Sequence, residues 1–167
     1  FIANSGIGKS WLLAHIGASA VRNGKVVLHI SLELNQSYTG LRYDSILSGI
    51  TLEKLPLHRD LLKDALEELN GKLYIKWYAM KSISLVGIKA YIDKVRSLGI
   101  NPDLIIIDYL DLTKYTGGNT QEDRILGELY AEAKGLAGEV NLPIWTVSQA
   151  NRAGLEDDIL EAGKISG

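Results

Sequence analysis

Four short stretches of this sequence carry side chains able to do chemistry on a phosphate. The first is Ala3-Asn4-Ser5-Gly6-Ile7-Gly8-Lys9-Ser10. A phosphate cradle needs small residues whose backbone N–H groups curl around an anion. It also needs a helix N-terminus aimed at the same point, a lysine for the outer phosphates and a hydroxyl for Mg²⁺. Gly6, Gly8, Lys9 and Ser10 supply these, with Asn4, Ser5 and Ile7 completing the loop. Ala3 stands where the G-x-x-x-x-G-K-[ST] pattern begins with glycine, so the strict pattern fails by one methyl group. The plain alternative is a glycine-containing strand–helix turn with an incidental lysine.

The second stretch is Ser31-Leu32-Glu33. A carboxylate there could face the terminal phosphate and polarise an attacking water, although a lone glutamate at a strand end is usually just solvated. The third is Leu104-Ile105-Ile106-Ile107-Asp108. An acid after so apolar a run matches a Walker B motif, whose carboxylate holds Mg²⁺ directly or through water. Asp111 follows three residues later, either supporting that acid or exposed. The fourth is Ser148-Gln149-Ala150-Asn151-Arg152. Gln149 could touch the terminal phosphate and report nucleotide state to the following loop; alone, it reads as an ordinary polar turn.

These residues matter together only if the fold gathers them. Strand-length apolar runs alternate with helical periodicity. Phe1 to Ala3 reads as a strand end. A helix from about Ser10 to Arg22 places Leu12, Ile16 and Ala20 on one face and stops at Asn23-Gly24. Lys25 to Leu32 reads as a strand, about Gln36 to Ser48 and about Leu57 to Leu69 as helices, and Leu73 to Tyr78 as a strand. Ser84 caps a helix with the stripe Leu85, Ile88, Ile92 and Val95. Leu104 to Ile107 is a strand. Thr120 caps a long helix to about Val140, with Asp123 in a box-like position. Pro143 to Val147 is the last clear strand. The expected fold class is α/β, a mainly parallel sheet with helices on both faces. In such sheets ligands bind at the carboxyl ends of the strands, so Lys9, Ser10, Glu33, Asp108 and Gln149 should converge in one crevice.

The composition agrees with one domain spanning 1–167. The chain has 167 residues, 46% hydrophobic and 23% charged, with a formal charge of −2. Zero cysteines exclude a disulfide scaffold and a thiol-ligated zinc site. The near-neutral balance excludes binding through a broadly basic surface. No apolar run approaches the ~18 residues that span a bilayer, and no signal peptide opens the chain. We therefore expect a cytoplasmic protein with no membrane partner. The start at Phe1 and the abrupt Ile165-Ser166-Gly167 end read as a fragment, incomplete at both ends.

With these segments in view, the chain resembles the RecA-like motor domain of DnaB-type replicative DNA helicases, especially phage-encoded members. The resemblance rests on the phosphate loop, Ser31-Leu32-Glu33-Leu34, Leu104 to Leu112, and Leu142 to Arg152, in order and over nearly the whole chain. It implies a P-loop ATPase using ATP and Mg²⁺ to translocate on single-stranded DNA and unwind duplex. By the same resemblance, Lys9 and Ser10 hold the phosphates and the metal, Glu33 activates water, Asp108 is the Walker B acid and Gln149 the γ-phosphate sensor. It also implies that the loops at about Leu112 to Asn119 and about Asn151 to Lys164 track DNA, with Lys114, Arg152 and Lys164 as their cations, in a homohexamer of the full-length protein. The arginine finger and the linker helix of that family fall outside these residues, so hydrolysis by this piece alone should be slow. Asp111 departs from the glutamine of many bacterial members. A RecA- or RadA-like recombinase, a small-molecule phosphotransferase and a non-hydrolysing nucleotide-binding module stay open as alternatives.

Overall fold

The computed structural model describes residues 2–4, 6–118 and 121–149. Strands and helices alternate: β1 (Ile2–Ala3), α1 (Lys9–Arg22), β2 (Val26–Ser31), α2 (Gln36–Ser48), α3 (Arg59–Glu67), β3 (Lys72–Trp77), α4 (Leu85–Ser97), β4 (Leu104–Asp108), α5 (Glu122–Val140), β5 (Ile144–Thr146) and β6 (Ser148–Gln149). Every strand pairing is parallel, with the order β3-β2-β4-β5 in one sheet and β1-β6 in the other. Only Val147 separates β5 from β6, so one segment pairs first with β4 and then with β1.

Side-chain alternation along β2 and β4 divides the core. Leu28, Ile30, Leu32, Ile105 and Ile107 point to the side covered by α4 and α5, where they meet Ile88, Ile92, Leu129 and Leu136. Val27, Leu104 and Ile106 point the other way, onto Leu13 and Val21 of α1. Asp108 shares the parity of Leu104 and Ile106, which puts it on the α1 side. The strand thus delivers its acid to the face that carries the phosphate loop.

The structure departs from the sequence reading in several places. α1 buries Leu13, Ala14, Gly17, Ala18 and Val21, one residue round from the expected Leu12–Ile16–Ala20 stripe, and Leu12 is exposed. Small residues face inward because α2 crosses closely: a Cβ on Gly17 would overlap the Tyr43 hydroxyl. α3 is shorter than expected and follows a 3₁₀ turn at Leu55–Leu57. α5 begins after Gln121, which makes no side-chain cap, so it starts later than the Thr120 cap expected; Thr120 lies outside the described residues. Gln149 sits within a strand rather than beyond one. Ser84 does cap α4, accepting from Gly87 N at 3.3 Å.

Candidate active site

The phosphate loop is shaped by its glycines. Gly6 and Gly8 adopt φ of +81° and +89°, a region that costs other L-residues roughly 1–2 kcal/mol. Among the described residues, and apart from each glycine's own chain neighbours, nothing lies within 4 Å of the place a Cβ would occupy, so the cradle is open where an anion would enter. Gly8 is the N-cap of α1, and no acid sits in that helix's first turn. The N–H groups of the first turn and the positive end of the helix dipole therefore face the loop. Lys9 Nζ donates to the Asn4 carbonyl at 2.8 Å, spanning the loop. Asn4 Oδ1 is buried without a hydrogen-bond partner. Ser5 lies outside the described residues.

Asp108 stands opposite. Ser10 Oγ donates to its Oδ1 at 3.0 Å, linking the first turn of α1 to the end of β4. The side chain is buried, and burial pushes its carboxyl up to about 6. The Glu33 charge pushes in the same direction, while the Ser10 hydroxyl and the Arg42 and Lys9 cations pull it back. The Asp108–Tyr109 peptide is cis. Leu32 N donates to the Asp108 carbonyl at 2.7 Å, tying the end of β2 to the end of β4.

Glu33 is presented by a turn that Ser31 builds. Ser31 Oγ donates to the Leu34 carbonyl at 2.6 Å and accepts from Leu34 N at 3.2 Å. Asn35 then caps α2 by accepting from Tyr38 N at 3.0 Å. Glu33 is held between these two anchors, so the serine of Ser31-Leu32-Glu33 has a local reason to be there.

Gly6, Gly8, Lys9, Ser10, Glu33 and Gln149 line a single cleft of about 260 Å³. Four of the five side chains expected to converge line this cleft; Asp108 is not on its wall and joins it through the Ser10 hydroxyl. Trp11, Leu34, Arg42 and Tyr109 complete the wall. Tyr109 Oη lies 3.4 Å from Gln149 Oε1. Arg42 is half-buried, and its guanidinium lies 5.3 Å from the centre of the Trp11 ring, within cation–π range. Neither Arg42 nor Trp11 was legible as a site residue, because their meeting depends on how α2 packs on α1.

The donors fit Mg²⁺ with a nucleotide. Mg²⁺ favours hard oxygens and is usually held by one or two protein groups plus phosphates and water. Ser10 and Asp108 present a hydroxyl and a carboxylate side by side. Among the described residues no group of three or more His, Cys, Asp or Glu could hold a metal without that help. Lys114 is exposed in the segment that follows the 3₁₀ turn Leu110–Leu112, away from the cleft lining. Arg152 and Lys164 lie outside the described residues. No helix among the described residues is long and apolar enough to cross a membrane.

Comparison with known proteins agrees with this geometry. The profile of the DnaB-like helicase C-terminal domain matches residues 1–158. The chain belongs to that family. The probable plasmid replicative DNA helicase of Chlamydia trachomatis is 29% identical over 177 residues, covering 98% of this chain and 39% of that protein. The replicative DNA helicase DnaB of Helicobacter pylori is 26% identical over 157 residues, covering 90% of this chain and 32% of the other. This DnaB-like domain therefore spans well under half the length of these relatives. In fold it is similar to the ATPase domain of G40P, with a TM-score of 0.79 at 18% identity, covering 98% of this chain and 61% of that one. A DnaB-like replicative helicase solved in a study of its interactions with primase gives 0.78 at 18% identity, over 98% of this chain and 42% of that one.

Proposed function

We propose that this chain is the ATPase motor of a replicative DNA helicase, hydrolysing ATP with Mg²⁺ to move a homohexamer along single-stranded DNA. The observation that supports this is the convergence of Lys9, Ser10, Glu33 and Gln149 on one cleft, with Asp108 joined to it through Ser10.

Each residue takes a part. The N–H groups at the start of α1 and Lys9 bind the phosphates. On nucleotide binding Lys9 exchanges its bond to the Asn4 carbonyl for bonds to phosphate oxygens. Ser10 and Asp108 would hold Mg²⁺, which supplies charge neutralisation across the β- and γ-phosphates when bound. Glu33 accepts a proton from water as the water oxygen bonds to the γ-phosphorus. The bond from that phosphorus to the β-γ bridging oxygen breaks, releasing ADP and inorganic phosphate. Gln149 senses the γ-phosphate. Arg42 adds a second cation, oriented by Trp11, to offset the charge that develops there. Lys114, with Arg152 and Lys164, contacts the DNA backbone, where six copies of a weak contact sum in a ring.

The test is ATP turnover by the complete protein with and without single-stranded DNA. Turnover should rise with DNA. Lys9→Ala should lose nucleotide binding or turnover. Glu33→Gln should keep ATP binding and lose turnover by about 10²-fold or more; substantial residual hydrolysis removes Glu33 from the water-activating role.

A further inference from the structure

Asp111 is the junction of four separate parts of the fold. Its Oδ2 accepts from Ser148 Oγ at 2.8 Å and from Gln149 N at 3.1 Å, both in β6. Its Oδ1 accepts from Tyr130 Oη of α5 at 3.0 Å. Its own carbonyl accepts from Lys81 Nζ at 2.7 Å, and the next carbonyl, that of Leu112, accepts from Lys81 N at 2.8 Å. Lys81 adopts a left-handed φ of 57° in making these contacts. A solvated turn acid would make none of the three side-chain bonds.

The chemistry favours a carboxylate. Three donors meet one side chain, and an ionised carboxyl group is the side chain that offers two oxygens and no hydrogen. Bonds to such an acceptor are roughly twice as strong as neutral ones. The placement matters as much. From Asp111 the chain runs through Leu112 and Thr113 into Lys114 and Tyr115. At the other end of the clamp is the backbone of Gln149, whose side chain lines the nucleotide cleft.

We propose that Asp111 is a positioning residue that locks Gln149 to the base of the Lys114 loop, so that cleft and loop shift as one body. This rests on the reading of Gln149 as the γ-phosphate contact and of the Lys114 loop as a DNA contact. Asp111 touches neither ligand. It acts on coupling, and ATP binding itself is left to the phosphate loop.

The experiment uses the full-length protein and measures ATP turnover across ATP concentration, with and without an oligothymidylate strand. In Asp111→Ala the KM for ATP should stay within about twofold, while the DNA-stimulated kcat falls by roughly tenfold, as expected on losing a charge-assisted bond. Ser148→Ala and Tyr130→Phe leave the carboxylate in place and should each lower that kcat by about two- to threefold. Asp111→Ala combined with Ser148→Ala should be no worse than Asp111→Ala alone, since both remove the same bond. Should Asp111→Ala fail to fold, Ser148→Ala and Tyr130→Phe decide the matter by themselves. Full DNA stimulation in both of these, or in Asp111→Ala, overturns the proposal. So does a loss of stimulation that only tracks a raised KM. A wild-type protein whose turnover ignores DNA overturns the underlying motor reading instead, and this proposal with it.

Discussion

The two faces of the sheet are built differently. Beneath α4 and α5 the fully buried core is aliphatic: Leu28, Ile30, Ile105 and Ile107 meet Ile88, Ile92, Leu129 and Leu136, and tyrosines such as Tyr91 and Tyr130 pack only at its partly buried margin. Beneath α1 and α2 the burial includes His29, Thr39 and the hydroxyl of Tyr43. His29 Nδ1 pairs with Tyr43 Oη at 2.9 Å, but His29 Nε2 and Thr39 Oγ1 are buried without hydrogen-bond partners. Among the described residues, the face that carries the phosphate loop is thus the less satisfied one. The unpaired buried groups sit on the side that carries the chemistry, as expected where active sites tolerate local cost.

Substitutions can break this contrast. The largest effect should come from the aliphatic side: Ile92→Ala should lower unfolding free energy by about 3–4 kcal/mol by chemical denaturation. Nucleotide affinity should be unchanged at temperatures where the variant is folded. An affinity loss there would mean that the two faces are not independent.

The next effect is one of pH. Burial, and then the Arg42 charge, hold the His29 imidazole down at about 3 from its ordinary 6.5. In the unfolded chain His29 takes up a proton near 6.5, whereas in the folded chain it does not do so until about 3. The unfolded state therefore binds more protons between these values, and stability falls as pH drops through that window by up to about 1.4 kcal/mol per unit. Above 6.5 the imidazole is neutral in both states and the dependence disappears. Wild type should lose stability more steeply than His29→Leu over this range, and parallel curves would show that His29 charges in the folded state.

Gly17→Ala should cost about 2 kcal/mol, because the new methyl would overlap Tyr43 and lie 2.9 Å from Ile106 Cδ1. Unlike Ile92→Ala it should also weaken ATP binding, since α1 carries the loop; isothermal titration would separate the two. The smallest effect should be a gain: Thr39→Val removes an unpaired buried hydroxyl and should stabilise by about 0.5–1 kcal/mol in thermal unfolding.

Much of the architecture was legible because burial writes itself as period. The stripe Leu85, Ile88, Ile92 and Val95 is buried as its spacing required, and the apolar run before Asp108 is a fully buried strand. The strand-end rule then brought Lys9, Ser10, Glu33 and Gln149 to one cleft, with Asp108 bonded to Ser10 beside it. The buried face of α1 lies one residue round from the spaced aliphatics, with Ile16 and Ala20 at its margin, because a close helix crossing selects alanine and glycine. Arg42 and Trp11 left no local signal at all. Asp111 was ambiguous because its donors stand 19, 37 and 38 residues away. A turn acid and a junction acid look alike until the chain has folded around them.

Trp11 follows Ser10 directly, and its ring lies on the cleft wall beside the Arg42 guanidinium. The other two indoles, Trp77 and Trp145, belong to β3 and β5 and are absent from that wall. The protein thus contains its own optical reporter: an arriving triphosphate should redraw the electric field across one of the three indoles, making occupancy readable as a change in ultraviolet emission without any attached dye.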